Sequence, residues 1–288
     1  MNNDKISDYT TFPRTFENYK WYKPILVLIV SLVLIAIFEV LVVGFFYILF
    51  GFDFLKSVLS GGYEALSSPM AILFADLIII VFIPTLYLAS RIVKDRPFSS
   101  YSSSRGGWNF KLYFKALVIP LIMYIIYGVA DATINGSPGT PNFSIAFLLV
   151  ILISVPLQSI AEEYAYRGFL MQTFGSWFKI PVLAIVIQAI LFALSHGYNS
   201  LGLIETLVSG LGLGFLAWKT NGIEVSSAIH SANNFSVGLF VMLGMHASSS
   251  SPQFWDVVSS CVFLAILYII MYFIGKKTNW FGEIPENS

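Results

Sequence analysis

Charge is what this chain has least of. Only 11% of its 288 residues are charged, against about a quarter in soluble domains, while 57% are hydrophobic and the mean hydropathy is +0.77. A soluble fold of this size could not cover so much apolar surface, so the composition excludes one and points to a polytopic membrane protein. Acidic and basic residues balance at 16 each, which leaves no basic surface for nucleic acid. Cysteine occurs once, at Cys261 in an apolar run, so a disulfide framework is excluded. No secretory signal peptide is expected, because the first 23 residues are mostly polar and the apolar run after them is too long for a signal core.

What remains is apolar sequence in lengths that suit a bilayer. A spanning helix needs about 20 mostly apolar residues, and eight segments qualify: Pro24–Phe50, Pro69–Ser90, Leu112–Val129, Phe143–Ile160 (continuing as helix to about Thr173), Ile180–His196, Leu201–Trp218, Ile223–Leu243 and Phe254–Ile274. Glycines and polar residues make the sixth and seventh the weakest. The expected fold is an all-α membrane bundle of about eight transmembrane helices, since backbone groups in lipid must be satisfied internally. Eight spans place 15 of the 16 basic residues on one side, with only Lys56 on the other. By the positive-inside rule both termini are then cytoplasmic. The expected organisation is a tail over 1–23, a three-helix region over 24–142, a core over 143–244, and a last helix and tail over 245–288. Turn-rich linkers fall at Arg96–Trp108, Asn135–Asn142 and His246–Ser251.

Against this apolar background a few polar residues stand out. Glu162-Glu163-Tyr164-Ala165-Tyr166-Arg167 puts three charges into six residues at the end of the fourth span. Intramembrane ionisable residues are expensive and mark functional sites. Glu163 and Arg167 are i and i+4, the spacing and order that favour a helical ion pair. Glu162 is turned about 100° away, so it is expected to be unpaired and free to act as a general base on water. A structural ion pair capping the span is the competing reading. Phe192 and His196 share a helix face, as do His230 and Asn234. His196 suits either a base or a satisfied core histidine. His230 and Asn234 suit either donation to a developing oxyanion or interhelical polar contacts. Glutamate plus two histidines is also a metal-ligand set. No HExxH, GxSxG or GxGD motif occurs, which excludes the standard zincin helix and counts against a serine elbow.

The ordered set Glu162-Glu163…Arg167, Phe192…His196, His230…Asn234 resembles the CPBP family, the CAAX-protease and bacteriocin-processing (Abi) membrane proteins. The resemblance covers roughly residues 145–240. It implies an intramembrane endopeptidase in the cell membrane. In it Glu162 activates water with help from His196, His230 and Asn234 stabilise the oxyanion, and Glu163, Arg167 and Phe192 support the site. A metal-free route and one using zinc or another divalent metal on Glu162, His196 and His230 are both compatible with these residues. The implied partners are a peptide or membrane-protein substrate and the bilayer. Candidate substrates are prenylated CAAX-type tails, bacteriocin or pheromone leaders, and membrane segments. A non-proteolytic immunity or scaffold protein retaining the fold is the alternative, and a transporter using Glu39 and Asp76 as a relay is a third reading.

Straight helices joined near Ser176 would leave Glu162 and His196 mismatched in depth by roughly 9 Å, so the catalytic reading requires tilt or an interfacial start to the fifth span. Among the other polar residues, Glu39 and Asp76 are expected as buried hydrogen-bond partners. Glu205 and Glu224 are expected to snorkel to the interface. His246 is expected in a solvated outer loop. Gly210, Gly212 and Gly214 would allow close helix packing.

Overall fold

The computed structural model describes residues 8–60, 68–135, 139–245 and 252–280; the expected linker His246–Ser251 and part of the linker Asn135–Asn142 lie outside them. The chain is an all-α membrane bundle. Eight helices occupy the expected places: α1 (Lys23–Ser60), α2 (Pro69–Val93), α3 (Phe110–Asn135), α4 (Ile145–Phe178), α5 (Pro181–Leu194), α6 (Ser200–Lys219), α7 (Glu224–Met242) and α8 (Phe254–Lys277). Six are long and apolar enough to cross a membrane; α5 and α7 are not. The expected span Ile180–His196 is shortened because Pro181 opens its helix and Ser195 closes it. At about 1.5 Å per residue, α5 falls short of the ~30 Å hydrocarbon layer.

α7 fails the hydropathy criterion for a different reason. It is the innermost helix, packed mainly against α3 and α4 and also touching α6. Thirteen of its residues are buried, including Ser226, Ser227, His230 and Ser231. A helix shielded from lipid on most sides needs no continuous apolar surface. Its polar residues instead bond sideways: Tyr113 of α3 donates to Ser231 Oγ at 3.0 Å. α1 is the opposite case. It packs against α2, and most of its large apolar side chains are exposed, as a lipid-facing helix requires. Glu39 on α1 is half-buried and bonded to nothing among the described residues, so it is not the buried partner expected from sequence.

One end of the bundle is closed by two polar segments. The N-terminal stretch before α1 crosses the Phe178 end of α4 and the Lys219 end of α6. Arg14 donates to the Ser176 carbonyl at 3.0 Å, Trp177 Nε1 to the Trp21 carbonyl at 2.8 Å, and Trp218 Nε1 to Asp8 at 2.7 Å. Tyr9, fully buried, donates to the carbonyl of Tyr101 in the α2–α3 loop at 2.6 Å. The N-terminal stretch and the α2–α3 loop therefore share a side of the bundle, as the basic-residue count requires. Gly175 permits this closure: a Cβ there would collide with the backbone of Thr10. Gly175→Ala is expected to lift the strap and expose Tyr9, read as faster proteolysis before Lys23 with the helical circular dichroism unchanged.

Candidate active site

The fourth helix carries the centre of the site, and it is not a uniform α-helix. The expectation was regular helix to about Thr173. Instead α4 runs to Phe178 with a π-helical stretch over Tyr164–Met171, beginning immediately after Glu163. Such stretches are rare and concentrate at functional sites. The α2–α3 loop holds it in place. Tyr164 is sandwiched between Phe98, at 5.1 Å and 11°, and Trp108, at 6.2 Å and 19°. Arg96 donates to the Gly168 carbonyl at 3.4 Å and to the Gln172 side chain, and Gly168 leaves room for the Tyr101 carbonyl.

Glu163 and Arg167 form the expected ion pair, at 2.8 Å with both side chains fully buried. Arg167 also donates to the Gly210 carbonyl of α6 at 3.3 Å and lies 4.4 Å from the centre of the Phe192 ring. Gly210 packs closely against Ala189 of α5, where a Cβ would lie 3.1 Å from its atoms, consistent with the close packing expected of these glycines. Gln188, also buried, donates to the same carbonyl at 2.9 Å.

Glu162 is not unpaired. His230 of α7 lies between the two glutamates, with Nε2 3.2 Å from Glu162 Oε2 and Nδ1 2.9 Å from Glu163 Oε1. This corrects the expectation that Glu162 has no partner, which rested on spacing within one helix and could not register a side chain arriving from another. Glu163 Oε1 already accepts from Arg167, so the His230 Nδ1 hydrogen points at it. The four groups Glu162, Glu163, Arg167 and His230 sum to zero charge when one proton is shared between Glu162 and His230 Nε2. Neutrality matters where an unbalanced buried charge is costly. Glu162 retains 12% of its side-chain exposure and His230 7%, whereas Glu163 and Arg167 retain none. The Glu162–His230 contact is thus the accessible edge of the cluster.

Asn234 is one turn along α7 and faces Gln158 rather than His230. Its Nδ2 donates to Gln158 Oε1 at 3.0 Å, and Asn233 Nδ2 donates to Asn234 Oδ1 at 2.9 Å. Phe192 joins the remaining member: its ring is 5.8 Å from that of His230 and 4.7 Å from that of His196. His196 Nδ1 donates to the Phe192 carbonyl at 2.8 Å, which leaves Nε2 as its basic nitrogen. His196 lies beyond the end of α5 and makes no ion pair with either glutamate. Among the described residues, no three His, Cys, Asp or Glu side chains converge as a metal-ligand group. Both His230 nitrogens face carboxylates and His196 is turned onto its own helix end, so the arrangement does not fit the Glu162–His196–His230 metal set.

Sequence reasoning passed over Gln158 and Gln188, although each is one turn before a motif residue, Glu162 and Phe192 respectively. Asp76, expected as a buried partner, accepts from Ser154 Oγ at 2.6 Å. Two glutamates depart from expectation. Glu224 does not snorkel: it is fully buried, pairs with Arg105 at 3.4 Å and accepts from the Asn109 amide at 3.1 Å. Glu205 accepts from Ser260 of α8 at 2.5 Å.

These residues fall inside a recognisable stretch. Residues 144–236 match the family model described as type II CAAX prenyl endopeptidase Rce1-like. Over this stretch the chain is similar to the Rce1-like, CPBP family. The Rce1-like stretch contains Gln158, the EExxxR segment, Phe192, His196, His230 and Asn234. The chain is also similar to the uncharacterized protein YyaK of Bacillus subtilis (strain 168), 31% identical over 190 residues. That alignment covers 61% of this chain and 63% of YyaK, so the chain spans less than two thirds of this relative. The family is one of proteases, and its Rce1-like stretch sits here in an integral membrane protein.

Proposed function

We propose that the chain is an intramembrane endopeptidase of the cell membrane that hydrolyses a peptide bond with water activated by Glu162. The observation that carries this is the Glu162–His230 pair, the accessible edge of an otherwise buried charge-balanced cluster in the Rce1-like stretch. Water gives a proton to the Glu162 carboxylate as its oxygen bonds to the carbonyl carbon. Glu162 holds that proton while His230 Nε2 steadies the carboxyl group, and it passes to the leaving amine as the C–N bond breaks. Glu163 and Arg167 act from behind, fixing the imidazole by its Nδ1 hydrogen. His196 assists from across the Phe192 ring or through water, because direct contact with Glu162 is not made. No step uses a metal.

The substrate class favoured by the family description is a prenylated CAAX-type tail; leader peptides and membrane segments are the competing classes. The test is purified protein in proteoliposomes, given a farnesylated CAAX-type peptide, its unprenylated twin and a leader peptide, with products identified by mass spectrometry. Cleavage of the farnesylated peptide in preference to the other two is expected. A complete lack of product from all three sinks the hydrolytic reading and is what a scaffold protein would give.

A further inference from the structure

Asn234 was the expected amide donor to the oxyanion, but its contacts direct attention one residue further along. Three side-chain amides run head to tail from α7 to α4: Asn233 Nδ2 donates to Asn234 Oδ1, and Asn234 Nδ2 donates to Gln158 Oε1. Ser159 Oγ adds a longer contact to the same Gln158 oxygen, at 3.4 Å. The chain of amides ends at Gln158 Nε2, which donates to nothing among the described residues and is not one of the fully enclosed orphaned atoms. It therefore opens onto accessible space. Gln158 and Glu162 are i and i+4 on α4, ahead of the π-helical stretch, so they share one face at neighbouring positions. A carbonyl whose carbon is attacked by water from Glu162 would have its oxygen one short step along this face.

We propose that Gln158 is a catalytic residue of this site: its Nε2 donates to the carbonyl oxygen of the scissile peptide as negative charge develops there. Asn234 is then a positioning residue that holds the Gln158 amide by its oxygen. The inference rests on the hydrolytic reading above. A neutral amide suits the task, because a cation beside Glu162 and His230 would upset the charge balance of the cluster. Each amide in the chain polarises the next, so the terminal hydrogens are better donors than those of an isolated glutamine. Serine at 159 and proline at 156 flank a glutamine that is otherwise buried, and its oxygen-side bonds leave only the nitrogen to turn toward substrate.

The test compares Gln158→Met, Asn234→Ala and the double variant in proteoliposomes, on whichever peptide the wild-type chain cleaves. Gln158→Met is expected to lower kcat on the order of 10²–10³-fold with KM nearly unchanged, the signature of a contact made in the transition state. Asn234→Ala is expected to lose less, and the double variant no more than Gln158→Met. A phosphinate analogue of the tetrahedral intermediate should bind the wild-type chain far more tightly than Gln158→Met, while the parent peptide binds both alike. Retained kcat in folded Gln158→Met overturns this inference alone, as does a greater loss in Asn234→Ala, which returns the oxyanion to Asn234. Absence of cleavage by the wild-type chain overturns the hydrolytic reading and this inference with it. If Gln158→Met does not fold, Gln158→Leu carries the same test, since it removes the donor without adding a charge.

Discussion

Glu162→Gln is expected to lower turnover by about 10²–10⁴-fold, the range for removal of a positioned general base, with little change in KM or in thermal stability. The three expectations come from one geometry. Glutamine is the same shape as glutamate, and its amide can still hydrogen-bond His230 Nε2 at the 3.2 Å position, so packing and the α4–α7 contact survive. What it cannot do is take a proton from water. Substrate binding does not draw on the proton transfer, so KM stays and kcat falls. The adjacent Glu163→Gln should show a different signature, because Glu163 is fully buried and bound to both Arg167 and His230: stability falls along with activity. Single-turnover cleavage in proteoliposomes, beside thermal unfolding in detergent, separates the two neighbours. Full activity in Glu162→Gln would remove the basis of the mechanism.

The two glutamates also show how far sequence alone reaches. The Glu163–Arg167 pair was legible because both partners lie on one helix, where spacing fixes geometry. The His230 bridge was not, because nothing in the spacing of residues 162 and 230 says which imidazole nitrogen meets which carboxylate across two helices. Eight helices were legible from apolar length. The shortness of α5 lay in Pro181 and Ser195, which the apolar run overrode, and the burial of α7 follows from its neighbours α3 and α4. The π-helical stretch at Tyr164–Met171 has no local signature in YAYRGFLM. Its stacking partners Phe98 and Trp108 come from a loop more than fifty residues earlier. Glu162 and His196 share no ion pair, and the Phe192 ring lies against both histidine rings, 4.7 Å from His196 and 5.8 Å from His230. Gln158 was within reach as a polar residue one turn before Glu162, and was passed over because a lone glutamine carries no motif.

Arg167→Met is expected to destabilise the protein by about 3–5 kcal/mol, the cost of removing one partner from a buried ion pair. Methionine restores much of the volume and the contact with the Phe192 ring, so the loss is electrostatic. Glu163 is left inside the bundle with His230 alone, its Oε2 already without a hydrogen-bond partner, and the Gly210 carbonyl loses one of its two donors while keeping Gln188. The cluster then carries one unbalanced negative charge in a low-dielectric interior. The double variant Glu163→Gln/Arg167→Met removes both charges together, and it should recover a large part of the stability lost in either single variant, since neither leaves a charge behind. Its hydrolysis should stay impaired, because His230 loses the carboxylate that orients its Nδ1 hydrogen and with it the alignment of Nε2 on Glu162. Unfolding in detergent by heat or by sodium dodecyl sulfate titration measures the first effect, and cleavage in proteoliposomes the second. A double variant as unstable as Arg167→Met would mean that packing, not charge, holds this corner of the bundle. A double variant that cleaves like wild type would mean that Glu163 has no part in aiming His230.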